Sequence, residues 1–204
     1  TILNRTLFDS FQARPLPQSQ WKKTPLAYAC VRGDSTAVRE LLLHPFVDVN
    51  QTDPSGKSAL YLTVLRNSLD CAHLLLEGGA DPNGSEQWRP LHAAASRGLL
   101  AMVQLLLRHR ADVHARNQWQ GTALHDAAEF GGWVETAKAL LDNGADVNAT
   151  DICGDTPLII AARYDHADLV SLLLEHSAKT DIRNKDGKTA MFWALMNKDS
   201  KCKA

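Results

Sequence analysis

The chain has 204 residues, 45% of them hydrophobic and 22% charged, enough apolar material to supply a continuous core. Lysine and arginine number 22 against 23 acidic residues, and a net charge of −1 gives no reason to expect nucleic acid or an anionic membrane as partner. No apolar run approaches the ~18 residues that span a bilayer, and no secretory signal is visible, so membrane insertion is not expected.

Residues 1–23 open the chain. Ile2, Leu3, Leu7, Phe8 and Phe11 recur at helical spacing, which predicts a short amphipathic helix over about Leu3–Gln12; Pro15 and Pro17 then interrupt it. The start at Thr1, without a methionine, is what an excised piece would show, so the missing targeting signal says little about a parent protein.

From Thr24 onward one signature returns: Thr24-Pro25-Leu26, Ser58-Ala59-Leu60, Thr122-Ala123-Leu124, Thr156-Pro157-Leu158 and Thr189-Ala190-Met191, with Arg89-Pro90-Leu91 in the remaining place. The starts are separated by 34, 31, 33, 34 and 33 residues. Within the unit at Arg89, Ala94 and Ala95 are small enough for a first helix to pack tightly. Gly98 breaks that helix, and Met102, Val103, Leu106 and Leu107 form the apolar stripe of a second. In the unit at Thr122, Gly144-Ala145-Asp146 ends the second helix, Gly144 being suited to a left-handed cap.

A period near 33 carrying a turn and two short helices resembles the ankyrin repeat family, over residues 24–197. The resemblance implies an all-α solenoid with short β-hairpin fingers. It would hold five complete repeats starting near 24, 58, 89, 122 and 156, a partial one at 189, and a polar tail over 198–204. The last repeat is expected to hold only a first helix, Ala190–Met196. For residues 1–23 two readings stand: a cap over the first repeat, as array ends require, or an extra docking helix.

Three irregularities fall in loops. His44-Pro45-Phe46-Val47 replaces a glycine-bearing ending, the finger Gly84-Ser85-Glu86-Gln87-Trp88 is two residues short, and an extra residue enters near Gly131-Gly132-Trp133. Insertions in repeat arrays often mark the binding side. Trp133, at the start of a second helix, reads as a packing residue.

The candidates for chemistry are decoys. His92 and His125 hold the fourth place of the turn signature, where the imidazole ties the turn together, and His125-Asp126 are adjacent helix residues that point apart. His166 and Asp168 have no third partner at metal-ligand spacing, and no phosphate loop, serine elbow or paired-cysteine site is present. No enzyme, cofactor or metal is expected. Cys30, Cys71, Cys153 and Cys202 lack metal spacing; Cys30 and Cys71 read as small buried hydrophobes. Free thiols favour a reducing compartment, hence cytoplasm or nucleus.

The resemblance implies that partners meet the fingers and the exposed face of the first helices. Eight residues after each start stand Arg32, Arg66, Arg97, Phe130, Tyr164 and Asn197. Four and seven residues after, the same face adds Tyr28, Val31, Leu62, Leu65, Ala93, Ser96, Asp126, Glu129, Ile160, Arg163, Trp193 and Met196. Arginine, tyrosine and tryptophan are enriched at interface hot spots, and arginines clamp carboxylates bidentately. The competing reading makes each arginine a solvated helix end. Trp21, Trp88 and Trp119 follow glutamines in the fingers, either as aromatic anchors or folded back on their own turns.

The expected ligand is a protein or extended peptide with an acidic stretch for the arginines, followed by apolar residues for Phe130, Tyr164 and Trp193. The array itself is expected to be monomeric. Two alternatives remain open, the substrate-receptor part of a ubiquitin ligase and an inhibitor that covers an enzyme's face. By the same resemblance Asn148, in Asp146-Val147-Asn148, is a candidate for asparaginyl hydroxylation. Asn50, in Asp48-Val49-Asn50, ends a similar turn; Asn83, in Asp81-Pro82-Asn83, follows a proline and suits hydroxylation least.

Overall fold

The computed structural model describes residues 24–201, with side chains through Asn197. The expected N-terminal helix, the proline-containing linker, Trp21 and the side chains of the 198–204 tail lie outside the described residues. The chain divides into two compact units at Ala80 and Asp81.

In the first unit, α1 (Pro25–Arg32) and α2 (Ser35–Leu42) are followed by α3 (Ala59–Arg66) and α4 (Leu69–Glu77). The recurrent Thr or Ser is the reason each first helix begins where it does. Its hydroxyl accepts an orphan backbone N–H of the first turn: Thr24 from Ala27 at 3.1 Å and Ser58 from Tyr61 at 3.2 Å. Proline at the next place of α1 costs nothing, because its missing N–H would have had no helical partner. Leu26, Cys30, Val38, Leu60, Val64, Cys71 and Leu75 fill the core. Both cysteines are fully buried, and burial pushes the Cys30 thiol up to about 12, so it packs as a hydrophobe rather than reacting as a thiolate.

The second unit repeats the plan with α5 (Pro90–Ser96), α6 (Leu100–Arg108), α7 (Ala123–Phe130), α8 (Val134–Asp142), α9 (Pro157–Arg163) and α10 (Ala167–Glu175). First helices pack on first helices, α5 on α7, α7 on α9 and α9 on α11 (Ala190–Lys201); second helices follow suit, α6 on α8 and α8 on α10. Alanines at 94, 95, 127, 128, 161 and 162 keep the first-helix row close, and Met102, Val103, Leu106, Leu140, Leu169 and Leu173 fill the layer behind it. Leu107, expected in the apolar stripe of α6, is only half-buried, and Leu105 takes its place inside.

The fingers are tighter than the expected hairpins. Among the described residues they show only isolated bridges, Thr52 with Ser58 and Ser85 with Trp88. Each long finger instead folds around one side chain: Asp53, Asn117, Asp151 or Asn184 accepts the backbone N–H groups two and four residues on. Main-chain bonds then join finger to finger, Ile152 N to Trp119 O at 2.8 Å and Lys185 N to Cys153 O at 2.9 Å.

The last helix is longer than expected. It runs past the expected end at Met196 on to Lys201, and Asn197, the next residue, is anchored. Its amide donates to the carbonyls of Ala162 at 2.8 Å and Arg163 at 3.1 Å, capping the end of α9.

The Trp133 indole lies against the turns after α5 and α7, and its Nε1 donates to Ser96 O at 3.1 Å. Gly98 has φ +64°, and a methyl group there would overlap the ring; one at Gly131 would come within 2.5 Å of it. Gly98→Ala therefore combines a strained left-handed backbone with a steric clash, and we expect it to destabilise the fold by about 1–3 kcal/mol, read as a lower urea midpoint.

Candidate functional site

Turn residues of the second unit hold one another through buried imidazoles and carboxylates. His125 reaches back to its own turn: the Thr122 N–H donates to Nδ1 at 3.0 Å and the hydroxyl lies 2.9 Å away. Nε2–H then points at the Asp155 carbonyl in the next finger, 3.2 Å off. Burial pushes His125 below its ordinary value, so the ring is neutral. His92 cannot do the same, because Arg89 replaces the turn threonine. Its Nδ1 lies 2.6 Å from Asp126 Oδ2 in the following repeat and its Nε2 lies 2.9 Å from Ala115 O. Asp155 is the next link, accepting from Arg163 at 2.5 Å and Asn184 at 2.7 Å.

Above this layer a cleft of about 320 Å³ opens between α7 and α9 on one side and the fingers around Trp119 and Ile152 on the other. Trp119 is 60% exposed, Phe130 61% and Tyr164 48%, and Ile152 is also exposed. Exposed large apolar side chains gathered in one concavity mark binding rather than packing. Asp126, Glu129, Asp151 and Asp155 contribute carboxylates to the lining, against the single guanidinium of Arg163. Partial burial, and after it the neighbouring Asp126 carboxylate, push the Glu129 carboxyl above its ordinary value.

The structure sorts the residues singled out from sequence into three groups. Trp119, Phe130, Tyr164 and Glu129 converge on the cleft from exposed positions. Leu62, Asp126 and Ile160 were expected on the exposed face and are buried instead, at 7%, 9% and 5% exposure. At the fourth place after the start these three are buried, whereas Tyr28, Ala93 and Trp193 at the same place are half-buried. Arg163 and Trp193 face each other: the guanidinium lies 4.6 Å from the ring centroid, Lys188 approaches the same ring at 4.9 Å, and Trp193 is half-buried. Trp193 thus braces Arg163 and is absent from the cleft lining.

The remaining candidates lie apart from the cleft. In the first unit Arg32 is exposed and folds over Tyr28, 5.9 Å from the ring centroid, with a 3.4 Å hydrogen bond to its hydroxyl. Arg66 and Leu65 are exposed as well. Arg97, in the second unit, is exposed on the turn after α5, and Trp88 is half-buried in the shortened finger. Asn148 is half-buried: its N–H donates to Asp146 at 2.9 Å and its side-chain oxygen accepts from Lys179 N at 2.8 Å. Asp151, Ile152 and Asp155 were missed. Their signal is the finger string Asp151-Ile152-Cys153-Gly154-Asp155-Thr156, which places two carboxylates beside a turn threonine.

Among the described residues no group of three His, Cys, Asp or Glu side chains could hold a metal ion, and no helix is long and apolar enough to cross a membrane. Stacked helix pairs and side-chain-closed fingers define a helical repeat protein. The family model for ankyrin repeats in three copies matches residues 3–86, 81–151 and 134–203, and the chain belongs to the ankyrin repeat family. It is 39% identical over 183 residues to human ankyrin repeat and SOCS box protein 16, a match covering 85% of this chain and 40% of that protein. It is also 38% identical over 150 residues to neurogenic locus notch homolog protein 1 of Xenopus laevis, covering 71% of this chain and 6% of the relative. The chain therefore spans less than half the length of these relatives. The crystal structure of EF0377, an ankyrin repeat protein, superposes with a TM-score of 0.80 at 30% identity, covering 87% of this chain and 93% of that one.

Two outcomes test the buried layer. Asp126→Ala leaves the His92 imidazole without its carboxylate and should cost about 1–3 kcal/mol, read from urea unfolding. His125 is held neutral in the fold, whereas the unfolded chain protonates it below about pH 6.5. Stability should accordingly be full above that pH and fall as the pH drops through it, and His125→Gln should flatten this part of the pH profile.

Proposed function

We propose that this chain is a non-catalytic recognition module and that a segment of its partner protein lies in the cleft formed by α7, α9 and the two adjoining fingers. The observation that carries this reading is the convergence of Trp119, Phe130, Ile152 and Tyr164, all exposed, on one concavity. The cleft is at the small end for a ligand pocket, which suits one or two side chains of an extended segment better than a docked helix. The exposed guanidinium groups of Arg32, Arg66 and Arg97 suit carboxylates elsewhere on the partner.

A second reading, the substrate receptor of a ubiquitin ligase, is favoured by the similarity to a human protein whose name joins ankyrin repeats to a SOCS box. Both readings use the same surface, since a substrate receptor also holds its target through its repeats.

Selection of twelve-residue peptides from a random library on the full chain tests the site. Peptides so obtained should bind a Phe130→Ala, Tyr164→Ala variant at least about thirtyfold more weakly, the loss expected if even one of the two is an anchor worth about 2 kcal/mol. Equal affinity for a variant with an unchanged circular dichroism spectrum would remove the cleft as the binding site.

A further inference from the structure

The walls of the cleft differ in what their charges already do. Asp126 is engaged by His92 and by the Asn117 amide, the latter at 3.3 Å. Asp155 is held by Arg163 and Asn184, and Asp151 closes its own finger by accepting from Cys153 N and Asp155 N, both at 2.8 Å. Glu129 makes no such contact: among the described residues its carboxylate has neither a hydrogen bond nor a salt bridge. It projects from the same helix as Phe130, one place earlier. The sole cation in the lining, Arg163, is fixed between Asp155 and the Trp193 ring.

The cleft therefore offers three aromatic rings, a surplus of carboxylates and, in Glu129, one carboxylate that no salt bridge holds among the described residues, its nearest attraction being the Arg163 guanidinium already bound to Asp155. Aromatic faces carry negative potential and attract cations, and they do so more strongly when water is partly displaced. An acidic or purely apolar segment would leave Glu129 desolvated and unpaired, at a cost that a cation avoids. The same chemistry already operates beside the cleft, where Arg163 and Lys188 both lie on the Trp193 ring.

We propose that the cleft receives a lysine or arginine side chain of the partner, its charge against Glu129 and its stem among Trp119, Phe130 and Tyr164. This rests on the reading of the cleft as the partner site and narrows the expected ligand. The apolar stretch once assigned to Phe130 and Tyr164 must carry a basic residue, and any acidic stretch belongs with the arginines.

The probes are Nα-acetyl-lysinamide, Nα-acetyl-argininamide and the neutral isostere Nα-acetyl-norleucinamide, titrated into the full ¹⁵N-labelled chain. The readout is the Trp119 indole N–H, assigned with a Trp119→Phe variant. The two cationic amides should shift this resonance saturably, the neutral one should not, and Glu129→Gln should weaken the cations about tenfold. Equal shifts from norleucinamide, or no shift from the cations, would overturn the proposal. The selected peptides supply a second arm, with each lysine or arginine replaced in turn by norleucine. Loss of binding at one position supports the cation. Peptides that depend on Phe130 and Tyr164 yet tolerate every norleucine leave the cleft as the site and remove the cation. Peptides indifferent to Phe130 and Tyr164 remove the cleft itself.

Discussion

The hydrogen-bonded layer beneath the turns governs how the second unit is built. A stack of short helices held by apolar contact alone could slide, because alanine and leucine surfaces fit one another in several registers. His125 reaching the Asp155 carbonyl and His92 reaching Asp126 are satisfied in the observed register and would be broken by a slip. Each bond crosses from one repeat to the next and is sheltered from water, so leaving either partner unsatisfied carries the full desolvation penalty. The same bonds position α7, α9 and their fingers, whose outer edges form the cleft. The polar layer thus sets the register of the stack and the shape of the surface above it.

Much of this was readable in the residues, and for a physical reason. The turn threonine, the proline after it and the paired alanines act locally, so their recurrence announces each first helix without knowledge of its neighbours. Finger closure by Asp53, Asn117, Asp151 or Asn184 is equally local, yet the expectation of hairpins passed over it. What else escaped was set by the facing helix. Asp126 and Glu129 stand three residues apart on α7, and no sequence rule says that one meets His92 while the other meets solvent. Leu62 and Ile160 are buried for the same reason. Phe130, the last residue of α7, and Tyr164, just past the end of α9, hold the same place in successive repeats, and both are exposed as that place implied.

Arg89 and Arg163 show how one departure from the repeat pattern is absorbed by others. Without a hydroxyl at the turn of α5, the His92 ring swings to the next repeat, and Arg89 bonds its own side chain to the Arg116 carbonyl at 2.9 Å. Arg163 stands where Glu129 stands one repeat earlier. It is balanced by Asp155 and by an indole that the preceding first helices lack. Asp126 and Arg163 are thus both held by neighbouring side chains, whereas Glu129 has no salt bridge among the described residues.

Trp133 has an evolutionary consequence. The indole occupies the space a side chain at residue 98 or 131 would need, so these three positions cannot drift independently. Any larger residue at 98 is admissible only after the tryptophan has been lost, and a tryptophan is admissible only where both glycines already stand. Among relatives of this chain the order of replacement is thereby constrained, glycine preceding indole on the way in and following it on the way out.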